Sequence, residues 1–265
     1  MLKRILTAAV ALAVLFPILW FSETLAFPLA FAVLGVIAVW ELFGCTSQRK
    51  SYLLFCVSLL IAAGVPFAAR YLPDLLPSLA ALLLCAALFE SVLTYGKTDT
   101  RSLGLAALQT FAAIFGIGLI VLIRDREPYR YLLIFIAAWA TDTFAYFSGM
   151  LFGRRKLCEH ISPKKTVAGA IGGVIGCMAG FVIFGFICNA AYGQDHKLWL
   201  LALIAVPLSA AGQFGDLAAS AVKRVYGVKD YGKLFPGHGG VLDRFDSIIL
   251  ITLAAFILTE LERIC

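Results

Sequence analysis

Two aspartates near the C-terminal end of the chain have the spacing of a cation site. Asp243 and Asp246 stand three residues apart where the last apolar stretch begins, so on a helix their carboxylates share one face. Carboxylate oxygens are ligands that hard divalent cations such as Mg²⁺ prefer. The run Pro-Gly-His-Gly-Gly at 236–240 precedes them, permits positive φ, and has amides that can line an anion site.

Basic side chains accompany these acids. They are Lys223, Arg224, Lys229, Lys233 and Arg244. Ammonium and guanidinium groups bind phosphates, so the segment predicts a polyphosphate held with a divalent cation. Each part has an ordinary alternative: a helix N-terminal charge, a turn, or positive charge that sets membrane topology. The combination in one loop favours the site, to which Gly239, Gly240 and His238 are also assigned.

Two further acids lie inside apolar stretches. Asp142 and Asp216 would be costly at membrane depth unless paired or facing a polar cavity, so each is a candidate site residue. A structural ion pair between helices is the alternative. Asp216, Ser220 and Lys223 are separated by four and three residues, which places them on one helical face.

A second basic segment, residues 162–166, reads as a turn that leads into a Gly-rich helix. Its Lys165 can contact a phosphate or can serve topology alone. Other isolated acids and histidines receive no role. They are Glu41, Asp74, Glu90, Asp99, His160 and His196.

Composition predicts a membrane protein. Of 265 residues, 62% are hydrophobic and 14% charged, unlike an average soluble domain. Apolar stretches of about 20 residues, enough to cross a bilayer, recur along the chain. They lie near 5–21, 25–43, 52–69, 75–93, 104–123, 130–150, 168–188, 198–220 and 245–261. We therefore expect an all-α polytopic protein of about nine transmembrane helices in one membrane domain, with 1–125 as scaffold and 126–265 as catalytic helices and loops.

Charge distribution predicts a cytoplasmic N-terminus. With that orientation most basic loops fall on the inner side, although the mixed segment 124–127 is an exception. The net charge of +6 is spread over short loops, so a nucleic-acid-binding domain is not expected. Seven cysteines without CxxC spacing indicate neither a disulfide framework nor a zinc site.

The pattern S-x-V-K-R-x₄-K-D-x-G-x₂-F-P-x-H-G-G-V-x-D-R-F-D, which begins at Ser220 and ends at Asp246, resembles the signature of phosphatidate cytidylyltransferases, also called CDP-diacylglycerol synthases. The resemblance implies a dimeric enzyme of the bacterial cytoplasmic membrane that uses CTP and a divalent metal, with its site facing the cytoplasm. It also implies that Asp243 and Asp246 belong to the metal site and that Asp142, Lys165 and Asp216 are site residues.

The reaction expected from that resemblance is attack by phosphatidic acid of the inner leaflet on the α-phosphorus of CTP, with loss of pyrophosphate. Asp243, Asp246 and Asp216 are assigned to Mg²⁺, and Asp142 to a second cation. The phosphate-binding residues are Lys223, Arg224, Lys229 and Arg244 for CTP and Lys165 for the lipid. His238 either donates to pyrophosphate or shapes the loop. A transporter and another CTP-using lipid enzyme, such as a polyprenol kinase, are the alternatives.

Overall fold

The computed structural model describes residues 10, 13–46, 51–97, 99–235, 237 and 239–264, and this part of the chain is almost entirely helical. The helices are α1 Ala26–Cys45, α2 Tyr52–Tyr71, α3 Leu76–Leu93, α4 Thr100–Arg126, α5 Leu132–Phe152, α6 Val167–Tyr192, α7 Leu198–Val225 and α8 Leu242–Ile264. A short 3₁₀ helix, Pro73–Leu75, leads into α3. Residues 5–9, 11 and 12 of the predicted first span, 5–21, and His238 lie outside the described residues.

Seven helices in the described part of the chain are long and apolar enough to cross a membrane, namely α1 to α7, with the 3₁₀ turn extending α3. The all-α polytopic class is thereby confirmed, whereas the count of nine is not. Helix α8 is not among the seven. Its uncharged stretch, 247–259, is bounded by Asp246 and Glu260 and is shorter than the 20 or so residues that a bilayer requires.

The chain divides into two compact units. The first, here called the N-terminal unit, comprises Met1–Arg126 together with Val222–Phe245, and the C-terminal unit comprises Glu127–Ala221 and Asp246–Cys265. The expected scaffold of residues 1–125 therefore shares its unit with a long stretch of the signature segment. The roles assigned to 1–125 and 126–265 stay predictions.

In the N-terminal unit, helices α1, α2 and α4 pack against one another, and α3 packs on α2 and α4. The centre of this packing is formed by fully buried side chains, among them Phe27, Phe31, Leu54 and Ile117. Apolar burial and close packing of this kind hold the three helices together and give α1 a fixed place beside α2 and α4.

Paired charges explain the exceptional loop at 124–127. Arg70 Nε donates to Asp125 Oδ2 at 2.9 Å, and Arg124 Nη1 donates to Asp125 Oδ1 at 2.9 Å. Arg124 also lies 3.3 Å from the Glu23 carboxylate. The positive charge of Arg70 and Arg124 is thus opposed by acids within the same unit, which weakens it as a topology signal.

In the C-terminal unit, α5 and α6 pack closely because α6 presents glycines to α5. A Cβ on Gly176 would overlap the Phe144 ring, and one on Gly173 would come within 3.0 Å of the Thr141 carbonyl oxygen. Small residues of this kind allow membrane helices to approach each other closely. The helix α6 begins after Thr166, whose side chain accepts a hydrogen bond from the Gly169 amide at 3.1 Å.

The segment 162–166, predicted as a turn, is instead a strand. Strands β1 Lys156–Cys158 and β2 Ser162–Thr166 form an antiparallel pair before α6. Backbone pairing with residues 156–158, which sequence spacing does not reveal, holds Lys165 in extended backbone. This strand is the local element that positions Lys165.

Candidate functional site

In the N-terminal unit, Asp243 is a buried carboxylate that accepts hydrogen bonds from three donors. It lies in the first turn of α8 and is 8% exposed. Lys223 Nζ donates to Oδ1 at 2.8 Å, and the amides of Tyr231 and Gly240 donate to Oδ2 at 2.8 and 2.9 Å. Because a buried polar group requires compensation, these contacts account for the burial of the carboxylate at this position.

Lys223 is the partner that neutralises this carboxylate. It lies in the last turn of α7, and its Nζ lies 5.2 Å from the centre of the Tyr231 ring, within cation–π range. Its side chain is 11% exposed, and that of Asp243 is 4% exposed. The structure thus joins two predicted site residues in an ion pair. A direct contact between Lys223 and substrate stays a prediction.

The loop before α8 has the backbone that its glycines predicted. Gly237 and Gly239 have φ of 80° and 84°, which L side chains rarely adopt, and the Phe235 amide donates to the Gly239 carbonyl at 2.8 Å. The amide of Gly240 was predicted to help line an anion site. It donates instead to Asp243, so this protein's own carboxylate satisfies it.

Glu41 is a site residue that sequence reasoning missed. It lies in α1, is 7% exposed, and accepts the amides of Val241 and Leu242 at 3.0 and 2.9 Å. These two amides belong to the start of α8, where helical N–H groups have no intrahelical acceptor. The only signal in the sequence was an acid near the end of the apolar stretch 25–43.

The other cations of the signature segment lie at the surface. Four predicted phosphate-binding residues are exposed, namely Arg224, Lys229, Lys233 and Arg244. Arg224 follows Lys223 on α7, Lys229 and Lys233 lie in the loop, and Arg244 follows Asp243 on α8. Exposed ammonium and guanidinium groups are available to an anionic ligand in a way that a buried ion pair is not.

The C-terminal unit contains a second group of predicted residues. Lys165 Nζ lies 2.6 Å from Asp216 Oδ2, and the two side chains are 26% and 30% exposed. Ser220 Oγ donates to Asp216 Oδ1 at 3.3 Å, one helical turn along α7. The predicted shared face of Asp216 and Ser220 is confirmed, and strand β2 places Lys165 against it.

Helix α7 carries further polar side chains on the same face. Thr141 Oγ1 of α5 donates to Ser209 Oγ at 2.8 Å, and Gln213 Nε2 donates to the Ala170 carbonyl at 3.1 Å. With Asp216 these residues follow the spacing of four and three that marks one side of a helix. Asp142, next to Thr141 on α5, is exposed. Its assignment to a second cation stays a prediction.

Asp246 lies on α8 where that helix meets α7. It is half-buried, and its Oδ1 accepts the Ser247 amide at 2.8 Å. A Cβ on Gly215 would lie 2.6 Å from the Asp246 carbonyl oxygen, so the two helix backbones approach closely at the residue beside Asp216. Glycine at 215 therefore allows the helices that carry Asp216 and Asp246 to come into contact.

The donor set at this helix contact suits Mg²⁺. This ion usually takes one or two carboxylates and completes its coordination with water and substrate phosphates. Asp216 and Asp246 are half-buried carboxylates of that kind, and Asp216 is also contacted by the Lys165 ammonium group and the Ser220 hydroxyl. Asp243 is more deeply buried and receives an ammonium group and two amides. Among the described residues, no group of three or more His, Cys, Asp or Glu side chains could hold a metal. Metal ligation by Asp243 stays a prediction.

The fold and these two groups of side chains define a polytopic helical membrane protein with carboxylates and cations suited to phosphate chemistry. The chain matches the model of the Cytidylyltransferase family over residues 2–261, and it belongs to that family. It is 36% identical over 253 residues to a phosphatidate cytidylyltransferase of Staphylococcus saprophyticus, with 94% of this chain and 95% of the relative covered.

Two other relatives carry the same name. The phosphatidate cytidylyltransferase of Bacillus subtilis is 34% identical over 260 residues, which cover 95% of this chain and 94% of the relative. That of Brucella abortus is 41% identical over 149 residues, which cover 55% of this chain and 53% of the relative. The match therefore extends over nearly the whole chain in the first two relatives and over about half in the third.

Proposed function

We propose that this protein is a phosphatidate cytidylyltransferase, which transfers CMP from CTP to phosphatidic acid and forms CDP-diacylglycerol and pyrophosphate, an initial step of phospholipid biosynthesis. The observation that carries the proposal is the family match over residues 2–261, which includes the whole signature segment from Ser220 to Asp246. Relatives of nearly equal length that bear this name support the choice of substrates.

The proposed reaction needs little assistance from a general base. A phosphate monoester has a second pKa of about 6, so phosphatidic acid is largely dianionic at neutral pH and already nucleophilic. The difficulty is that two anions must approach in line, so positioning and charge neutralisation supply most of the rate enhancement. A site rich in cations and without a dedicated nucleophile suits this reaction.

The exposed cations of the N-terminal unit bind the triphosphate in this proposal. Arg224, Lys229 and Arg244 are exposed, and Arg224 and Arg244 can form paired hydrogen bonds with phosphate oxygens. Lys223 and Asp243 hold the two ends of the intervening loop through their ion pair. The ion pair thus fixes the ends of the loop that carries these cations, and His238 and Gly239 are assigned to the same substrate from the sequence.

Lys165 binds the lipid phosphate in this proposal. Asp216 holds its ammonium group at 2.6 Å, and about a quarter of the side chain remains exposed. Because Asp216 also accepts from Ser220, its orientation is set from two sides. Asp216 and Asp246 would hold Mg²⁺, which when bound neutralises charge on phosphate oxygens. Asp142 is the candidate ligand for a second cation.

We further propose that the protein resides in a bacterial cytoplasmic membrane as a homodimer, with the site facing the cytoplasm. Seven apolar helices support insertion in a membrane, and the basic residues of the segments at 154–165 and 223–233 support their cytoplasmic side. In this orientation CTP reaches the site from the cytoplasm and phosphatidic acid reaches it from the inner leaflet.

The test is turnover by the full-length protein in detergent–phospholipid micelles with CTP, Mg²⁺ and phosphatidic acid. Labelled CDP-lipid and pyrophosphate in equal amounts are expected, and a protein carrying Asp246→Asn serves as the control. A phosphorylated alcohol with CDP, formed when a polyprenol is offered, would replace the proposal with a lipid kinase. Absence of any CTP turnover would overturn it in favour of transport.

A further inference from the structure

We infer that Glu41, in helix α1, is a positioning residue that holds the signature loop and the start of α8 in the conformation that binds CTP. The inference rests on the proposed function and extends it to the N-terminal helices, for which the signature assigns no role. Its basis is a contact between residues 200 positions apart in the chain, the hydrogen bond from the Val241 amide to Glu41 Oε1.

Both oxygens of the Glu41 carboxylate are used at the start of α8. Oε1 accepts the Val241 amide at 3.0 Å, and Oε2 accepts the Leu242 amide at 2.9 Å. A carboxylate at a helix N-terminus is favoured by the helix dipole and by the free amides there. Glu41 therefore acts as an N-terminal cap supplied from a distant helix, and it fixes the first turn that carries Asp243.

The loop is shaped to receive this carboxylate. At Gly232 and at Gly240 an added Cβ would overlap the Glu41 carboxylate, so a larger residue at either position would displace that carboxylate. The φ of these two residues lies outside the range reserved for glycine, so close contact rather than backbone strain accounts for them. Two glycines of the signature are thus explained by a side chain outside it.

Asp243 accepts two further amides of the same loop. Its Oδ2 accepts the amides of Tyr231 and Gly240, so two buried carboxylates together take four backbone amides between 231 and 242. The loop between Lys223 and these amides carries the exposed Lys229 and Lys233. Removing one anchor leaves buried N–H groups without an acceptor, and the loop must shift to satisfy them.

The test compares Glu41→Gln and Gly240→Ala with the control Glu90→Gln in the full-length protein. Gln keeps the shape of Glu41 but turns an NH₂ group towards one of the two amides, and Ala at 240 displaces the carboxylate without changing charge. Glu90 is also buried, at 3% exposed, and accepts the amide of Leu54, which is not part of the loop. It therefore reports the cost of altering a buried carboxylate alone.

We expect both loop variants to raise the KM for CTP by about tenfold or more, the factor that corresponds to one lost hydrogen bond to a charged group. The KM for phosphatidic acid should change much less, and Glu90→Gln should leave both values at those of the parent. A purely structural role would lower the yield of folded protein and leave the KM for CTP unchanged in the Glu41→Gln protein, which would overturn the inference.

Limited proteolysis without substrates separates this inference from the proposed function. Trypsin should cleave after Lys229 and Lys233 faster in Glu41→Gln and Gly240→Ala than in the parent and in Glu90→Gln. Equal cleavage rates would contradict loop positioning even in an active enzyme. Faster cleavage of the two loop variants, together with a parent protein that makes no CDP-lipid, would retain the positioning role and discard the proposed reaction.

Discussion

Lys223 and Asp243 form an ion pair of 2.8 Å although they are twenty residues apart, and both side chains are almost completely buried. The pair joins the last turn of α7 to the first turn of α8 and closes the loop between them. The charge of Lys223 is therefore used inside the protein, while the exposed cations of the loop remain available to a ligand.

Loss of Lys223 should be strongly destabilising. Lys223→Ala leaves the Asp243 carboxylate buried without its cation, and breaking such a pair costs about 3–5 kcal/mol. Denaturant titration in mixed micelles measures the free energy of unfolding. The double variant Lys223→Met with Asp243→Asn should recover part of the loss, since Asn keeps an oxygen for the Tyr231 and Gly240 amides. A double variant less stable than Lys223→Ala would show that the ion pair is not the cause.

Asp246→Asn should abolish transfer of CMP to lipid and leave insertion and folding intact. The substitution removes one of the two carboxylates proposed for Mg²⁺ but keeps the side-chain oxygen that accepts the Ser247 amide. Incorporation of labelled CTP into lipid measures activity, and thermal unfolding measures folding. Asp74→Asn, at an exposed acid in the short 3₁₀ helix before α3, is the matched control. Near-normal activity of Asp246→Asn would remove Asp246 from the site.

Lys165→Ala should raise the KM for phosphatidic acid with little effect on stability, because the pair with Asp216 is partly exposed and such pairs contribute about 0–1 kcal/mol. The neighbouring Lys164→Ala is the control, since alternate residues of strand β2 point to opposite faces. Titration of phosphatidic acid at saturating CTP gives the two KM values. Equal KM values for both variants would show that Lys165 does not bind the lipid phosphate and that its charge serves membrane topology alone.

The stability of the start of α4 should depend on pH through the ionisation of Asp99. Hydrogen bonds from the Ser102 hydroxyl and then from the Arg101 and Ser102 amides lower the pKa of Asp99 below its ordinary value. Because the pKa of Asp99 is lower in the folded state, its contribution to the free energy of unfolding is complete above the unfolded pKa. This contribution is lost as the pH falls through the folded pKa.

Two variants test this sign. Asp99→Ala should lower the unfolding temperature at neutral pH, and its difference from the parent should shrink as the pH falls below about 3.9, the ordinary pKa of Asp. Ser102→Ala should also lower the unfolding temperature at neutral pH. It removes the Ser102 hydroxyl, which is the largest cause of the lowered pKa of Asp99. A difference that does not change with pH would contradict the assignment to an ionised Asp99.

Local features of the site could be predicted from the sequence. The positive φ of Gly237 and Gly239 follows from residue type, and the contact of Ser220 with Asp216 follows from helical spacing. The start of α8 at Leu242 places Asp243 in its first turn, as the apolar pattern indicated. Each of these depends on residues within one turn or loop, where chemistry and backbone geometry suffice.

The partners of the buried charges were decided by the tertiary structure. Lys165 meets Asp216 because strand pairing places residue 165 in extended backbone, and nothing in the segment 162–166 predicts that strand. Glu41 was assigned no role because it lies near a span end. Its contact with the two amides at the start of α8 is seen only in the tertiary structure. An isolated apolar helix specifies which residues avoid water, but not which distant amide a buried carboxylate will accept.

The sequence by itself thus determined the all-α polytopic class, the family and the signature segment, because hydropathy, residue type and short spacing are local properties. Only the packing of α1, α2 and α4 around apolar side chains decided that a carboxylate of α1 would cap α8. Contacts between residues so far apart in the chain depend on many weak apolar contacts along whole helices. The sum of those contacts is set by three-dimensional packing.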